Sequence, residues 1–179
     1  MVFETAGAAF SPNGIDAGTL AMLSAADFSP ADKVLDLGCG YGVVGICAAK
    51  MIGAKNVVMS DVDAGCVNLS RRNAEANGVG GVKTVLSDGF DDIDDNDFTI
   101  ILSNPPYHTD FSVAKRFIEK GFNRLNLGGK FFMVTKRKDW YKNKFIAIFG
   151  GVGIQEIDGY FVFRAEKRGV RYAGAKRKK

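Results

Sequence analysis

An α/β fold, a seven-stranded sheet that is mostly parallel and ends in a terminal antiparallel hairpin, is the architecture this sequence predicts, on three observations. Short β-rich runs alternate with helix-period segments along nearly the whole chain, the pattern of a parallel sheet covered by helices on both faces. A glycine-rich stretch, Gly38-Cys39-Gly40-Tyr41-Gly42, joins the first strand to the helix that follows it, as ligand-binding α/β sheets require at a strand-to-helix turn. Asp158-Gly159 separates two short β-rich runs, which is a strong signal for a tight antiparallel turn.

The elements follow in order. A short helix is expected near Ile15 to Phe28, followed by Ser29-Pro30 and a strand from Lys33 to Asp36. After the glycine turn a helix runs from about Val43 to Met51. The next strand, Asn56 to Ser60, stops at Asp61, and Asp63 has the character of an N-cap for a helix that ends at Asn77-Gly78. A strand from Val82 to Leu86, an Asp-rich loop and a strand from Thr99 to Ser103 come next. An amphipathic segment from Ser112 to Leu127 reaches Gly128-Gly129, where the strand Lys130 to Thr135 begins. A helix from Trp140 to Phe149 precedes the hairpin, Gly153 to Ile157 and Tyr160 to Ala165.

At 179 residues the chain reads as one domain, 1–166, with a basic tail, 167–179, and a domain of this length buries about 70% of its unfolded surface without metals or disulfides. Three cysteines, Cys39, Cys47 and Cys66, and a single histidine give no zinc-ligand spacing. No basic leader precedes an apolar segment, and no apolar run approaches the ~20 residues of a membrane span. A cytoplasmic protein without membrane or metal partners is the expectation. The charge is uneven: residues 1–97 hold 6 Lys/Arg against 14 Asp/Glu, and residues 98–179 hold 18 against 6. A basic half of this kind suits a polyanion, and nucleic acid is the natural one.

The richest segment is Asn104-Pro105-Pro106-Tyr107-His108, at the carboxyl end of an apolar strand, where open α/β sheets bind ligands. The Asn104 side-chain oxygen and a carbonyl of the Pro105-Pro106 pair can accept from an exocyclic NH2, while Tyr107 can stack on the ring behind it. Proline suits that role because it fixes φ and brings no competing N–H. Upstream, Asp36, Gly38 and Gly40 can approach a cationic amine. Asp61, about twenty residues on, is placed to clasp ribose hydroxyls. Asp88 can accept from an adenine amino group, with Gly89 and Phe90 beside the ring. Together these describe a nucleoside with an amino-acid-like tail. Gly40-x-Gly42-x-x-Gly45 also fits a dinucleotide fingerprint, but Asp36 would repel a pyrophosphate, and neither a hydride-transfer residue set nor a second domain is evident.

The ordered set D-x-G-x-G-x-G, Asp61, Asp88 and N-P-P-Y resembles the class I S-adenosylmethionine-dependent methyltransferases that act on exocyclic amines. Phe10-Ser11 with Asp16 and Gly18-Thr19, and the N-P-P-[FY]-H motif, are similar to the "small" methyltransferase domain of bacterial ribosomal RNA guanine-N2 methyltransferases. Ala8 stands where that pattern has its glycine, and the degenerate amino-terminal domain of several members is missing from this chain. The resemblance implies a Rossmann-like sheet with S-adenosyl-L-methionine as cofactor. It implies cofactor contacts from Asp36, Gly38, Gly40, Asp61, Asp88 and Asn104, and chemistry at Asn104, Pro105 and Tyr107. Base contacts would come from Pro106, Tyr107, His108 and Phe10. RNA is the implied partner, with guanine N2 of ribosomal RNA the expected target. A protein-glutamine N5-methyltransferase and a non-catalytic cofactor- or RNA-binding scaffold are the alternatives.

Weaker features stay open between two readings. His108 is a proton acceptor or a packing residue. The aspartates of the 88–97 segment lack the glycine of a calcium loop and are expected to be solvated. Trp140-Tyr141 after Lys136-Arg137-Lys138 is a stacking platform for single-stranded RNA or part of the core.

Overall fold

Strand β1 (Val34–Leu37) is buried along its whole length, because it lies in mid-sheet with helices on both faces, which is why it reads as an apolar run rather than an alternation. In the computed structural model, which describes residues 1–5, 15–106 and 111–174, β1 pairs in parallel with β2 (Val57–Asp61) and β4 (Phe98–Ser103). Strand β3 (Lys83–Leu86) adds outside β2, and β5 (Leu125–Thr135) lies parallel to β4. The chain ends its sheet with β6 (Gly153–Ile157) and β7 (Tyr160–Glu166); β7 pairs antiparallel with β5 and β6 antiparallel with β7, giving the order β3-β2-β1-β4-β5-β7-β6. Asp158 and Gly159 both have positive φ, 51° and 76°, as a type I′ hairpin turn demands.

The pleat divides β5 between two cores. Phe132 and Val134 join the cluster under helices α1 (Ala17–Ser24), α2 (Val43–Ile52) and α3 (Ala64–Ala76). Phe131 and Met133 join the cluster under α4 (Ser112–Arg124) and α5 (Asp139–Phe149). Alternation with period two is the strand's own geometry. Gly45 and Gly121 allow the close approach of helix to sheet: a Cβ would sit 2.4 Å from Met59 Cγ at the first and 2.3 Å from a Phe131 ring carbon at the second.

Helix boundaries follow local chemistry. The Asp63 carboxylate accepts the Cys66 N–H at 2.9 Å and starts α3, and Gly78, at φ 72°, follows its end. The apolar periodicity running to Leu127 overstates α4, which stops at Arg124. Two interactions end it early. The Arg124 guanidinium donates to the carbonyls of Ile93, Asp95 and Phe90 at 2.6, 2.9 and 3.2 Å. Leu125, buried, pairs with Phe98. Strand β5 therefore starts at Leu125 rather than Lys130, and a register shift between Phe98 and Ile100 absorbs the extra residues near Gly128, φ 82°.

Neighbouring cations pair with part of the Asp-rich loop: Lys33 and Lys83 reach Asp95 at 3.0 and 2.6 Å, Lys120 pairs with Asp91, and Arg116 with Asp88. Among the described residues no group of carboxylates, histidines and cysteines is arranged to hold a metal, and no helix is long and apolar enough to cross a membrane.

Both ends of the described chain are tied to the domain. Asn73 on α3 and Asn77, its C-cap one turn on, exchange hydrogen bonds with the backbone of Glu4 and Val2 (2.6–3.0 Å). Residues 167–174, expected as the start of a tail, are held too. Lys167 exchanges backbone bonds with Gly128 and Gly129, and the Tyr172 hydroxyl donates to the Glu119 carbonyl at 3.0 Å.

Candidate active site

The carboxyl ends of β1, β2 and β4, with the residues after β3, meet around a cavity of about 330 Å³, within the range of small-molecule sites. Its floor is the turn after β1. Gly38, Gly40 and Gly42 all have positive φ (75°, 55° and 93°), a conformation that side chains resist. The turn is pinned from β2: the N–H groups of Gly38 and Cys39 both donate to the Ser60 carbonyl at 2.9 Å, and Gly40 N–H donates to the Asp61 carboxylate at 2.8 Å. At Gly40 nothing lies within 4 Å of where a Cβ would point, so open space faces the backbone there.

Four carboxylates border this space, Asp16, Asp36, Asp61 and Asp88. Asp36 is 2% exposed, and one of its oxygens accepts the Gly45 N–H at 2.8 Å. Burial pushes its carboxyl up to about 7, against the pull of that N–H, and the neighbouring Asp61 adds to the rise. Asp61 accepts from Gly40 with one oxygen and from the Asp63 N–H with the other, at 3.0 Å. Each carboxylate oxygen keeps a further lone pair for a ligand. Asp88 is exposed and ion-paired with Arg116.

The aromatic wall differs from the expected one. Phe90 is 1% exposed and belongs to the core, edge-on to Phe117 with ring centroids 6.3 Å apart. Phe117 takes its place at the cavity, beside Gly89. The alternation within a loop cannot reveal this, because the ring that lines the cavity comes from α4.

At the far wall stand Asn104, Pro105 and Pro106. The Ser103 hydroxyl donates to the Leu37 carbonyl at 2.8 Å and ties the end of β4 to that of β1. Both hydrogens of the Asn104 amide have acceptors: Asp16 Oδ2 at 2.9 Å and Thr19 Oγ1 at 3.0 Å. Its oxygen, Oδ1, is buried and has no partner among the described residues. An unpaired buried acceptor costs about 1–3 kcal/mol, so a donor from a ligand would relieve it. Asp16 is itself fixed. It caps α1 by accepting the Thr19 N–H at 3.0 Å, and the Tyr160 hydroxyl lies 3.4 Å from its other oxygen. Gly18 makes room, since a Cβ there would lie 2.8 Å from the Tyr160 ring.

Ser60 Oγ, on the cavity wall, is a second buried group without a partner among the described residues. Of the sequence-predicted set, Asp36, Gly38, Gly40, Asp61, Asp88, Asn104, Pro105 and Pro106 come together around one space. Phe10, Tyr107 and His108 lie outside the described residues. Sequence reasoning named Asp16 and Thr19 only as part of the entry segment, without their bonds to Asn104, and it missed Ser60 and Tyr160. A Ser at the end of a buried strand was the available signal for Ser60.

Comparison with known proteins gives a consistent kinship. The sequence profile of the methyltransferase small domain matches residues 1–164. Ribosomal RNA small subunit methyltransferase C of Serratia proteamaculans is 34% identical over 156 residues, 85% of this chain and 44% of the relative. The uncharacterized protein YbxB of Bacillus subtilis is 30% identical over 171 residues, 92% of this chain and 85% of that one. Among solved structures, the T. thermophilus 16S rRNA N2 G1207 methyltransferase (RsmC), in complex with AdoMet and guanosine, superposes with a TM-score of 0.75. It is 30% identical, over 89% of this chain and 45% of its own. The chain thus spans about half the length of the methyltransferase C relatives and most of the length of YbxB.

Proposed function

Because this chain belongs to the methyltransferase small domain family, we propose that its cavity binds S-adenosylmethionine and serves methyl transfer to an exocyclic amine of RNA, namely guanine N2 of ribosomal RNA. One observation carries the reading: Asn104 offers a buried carbonyl with no partner among the described residues, its amide hydrogens already held by Asp16 and Thr19. The AdoMet and guanosine in the T. thermophilus relative support it.

The residues present suit that cofactor. The glycine turn leaves open space at Gly40. In this reading Asp36 faces the cationic amine of the amino-acid tail, Asp61 takes the ribose hydroxyls, and Asp88 takes the adenine amino edge. When bound, adenosylmethionine supplies an electrophilic methyl group. The protein's part is positional. The Asn104 oxygen and the Pro105 carbonyl accept the two hydrogens of the target NH2, which keeps its lone pair free and aligned. The same two oxygens stabilise the positive charge that grows on nitrogen during transfer. Tyr107 is assigned to stack on the base, and Phe10, Pro106 and His108 to border it. Such a target carries with it a cytoplasmic site of action.

The Asp36 carboxyl gives a pH dependence. A cationic ligand binds the ionised form, so below about pH 7 binding must displace a proton. Calorimetric affinity for adenosylmethionine is expected to rise from pH 5.5 to 7.5, approaching about tenfold per unit at the acid end, below the range where an α-amino group loses its own proton. Asp36→Asn flattens that profile and weakens binding at pH 7.5.

Purified protein incubated with methyl-labelled adenosylmethionine and, separately, ribosomal RNA, ribosomal subunits, tRNA and total protein tests the reading. Label in RNA is the expected result. Label confined to protein glutamine would replace RNA with a protein substrate.

A further inference from the structure

We propose that the loop Lys136-Arg137-Lys138 is the dock for the single-stranded RNA that flanks the target nucleotide, with Arg137 and Lys138 on its phosphates. The inference rests on the RNA methyltransferase reading and names the surface that reading requires.

Position comes first. Strand β5 pairs with β4 through Ser103↔Met133, so Lys136 lies two residues beyond the level of Asn104 on the neighbouring strand, at the same end of the sheet. The Lys136 ammonium lies over the Tyr160 ring, 4.9 Å from its centroid. Tyr160 in turn reaches Asp16, and Asp16 holds Asn104. One ring and one carboxylate thus separate this loop from the amide assigned to the target amine.

The charges are arranged for an outside anion. All three residues are exposed. Arg137 lies over Phe111 and Lys138 over Phe161, each 5.1 Å from the ring centroid. Such contacts hold a cation in place without neutralising it. The ion pairs among the described residues use Lys33, Arg72, Lys83, Arg116, Lys120, Lys144 and Arg168; neither Arg137 nor Lys138 is in one. The contrast with Lys33, Lys83 and Lys120, which are spent on aspartates of the 88–97 loop, is direct.

The loop also opens α5. Lys138 is the N-cap, with no side-chain capping bond, and Asp139 is the acid of the first turn. A helix N-terminus disfavours cations and favours anions. Arg137 and Lys138 there are poorly placed for fold stability and well placed for a phosphate backbone, whose oxygens the guanidinium can take two at a time. Phe111, between Arg137 and the stacked Trp140 at 4.3 Å, fixes the guanidinium at the rim. Trp140 is partly buried and Tyr141 is 2% exposed. The pair therefore supports the cationic rim more than it offers an open stacking platform.

The test is the salt dependence of binding of a fluorescent single-stranded oligoribonucleotide to the full chain. Parent protein is compared with the double variants R137A/K138A and, as a control from the opposite end of the sheet, K50A/K55A. Each phosphate contact on a single strand contributes about −0.7 to the slope of log affinity against log salt. R137A/K138A is expected to reduce the slope by about 1.4 and to weaken binding roughly 25-fold at ~0.1 M salt. Adenosylmethionine affinity on the same samples reports that the fold persists. A slope equal to the parent's overturns the dock. So does an equal reduction in both double variants, which would mean diffuse attraction, and so does competition by poly-L-glutamate as strong as that by RNA, which would favour an acidic protein surface. Parent protein that binds RNA with the expected variant slopes, yet transfers no methyl group to it, keeps the dock and removes the enzymatic reading instead.

Discussion

Asn104→Ala is expected to lower the rate of methyl transfer by about 10²- to 10³-fold, the range seen when a single group stabilising developing charge is removed. Affinity for adenosylmethionine should change by less than about tenfold, because the glycine turn, Asp36 and Asp61 remain. The loss belongs in kcat, since the Asn104 oxygen acts on charge that appears only as the new bond forms. Asn104→Asp is expected to be no better. It would place a carboxylate where Asp16 Oδ2 already lies 2.9 Å away, and two carboxyl groups at that separation cannot both ionise. Single-turnover rates with saturating cofactor, alongside calorimetric binding, check both variants.

Asp16→Ala should cost about 10- to 100-fold in kcat although Asp16 is assigned no contact with the base, because a small misplacement of a positioned group is expensive. Without it, the Asn104 amide loses one of its two anchors and can turn its NH2 toward the cavity, where it repels the target amine. The same change removes the N-cap of α1, at about 1 kcal/mol. Asp16→Asn separates the two effects. Its oxygen can still accept from Thr19 and Asn104, and its NH2 can donate to the Tyr160 hydroxyl. Recovery of most of the rate in Asp16→Asn, with the KM for adenosylmethionine steady across the series, identifies a positioning residue. Equal losses in both variants, tracking thermal stability, would make Asp16 a capping residue alone.

What was legible in the sequence was what short-range chemistry controls. Asp158-Gly159 names its turn because both residues must adopt positive φ, and they do. Asp63 names the start of α3 because a free carboxylate seeks the N–H three residues on. The grouping of Asp36, Gly38, Gly40, Asp61, Asp88 and Asn104 followed from topology, since the carboxyl ends of parallel strands must lie together.

What was hidden depends on contacts between distant parts of the chain. Asp16 and Asn104 are 88 residues apart, and Tyr160 is 144 residues from Asp16. No spacing rule joins them. The exchange of Phe90 for Phe117 at the cavity wall has the same origin, as each ring's direction is decided by packing between the loop and α4. The overlong α4 is a local rule overruled: Leu125 and Leu127 continue a helical period, yet the Arg124 bonds to the loop carbonyls stop the helix.

The identity of the methylated nucleoside tests the central claim most directly. Ribosomal RNA labelled by the protein from methyl-labelled adenosylmethionine is digested to nucleosides and resolved by chromatography and mass spectrometry. The account predicts label in N2-methylguanosine, absent with Asn104→Ala. Label in N6-methyladenosine would contradict the assigned base. Equal labelling by parent and Asn104→Ala would contradict the site itself.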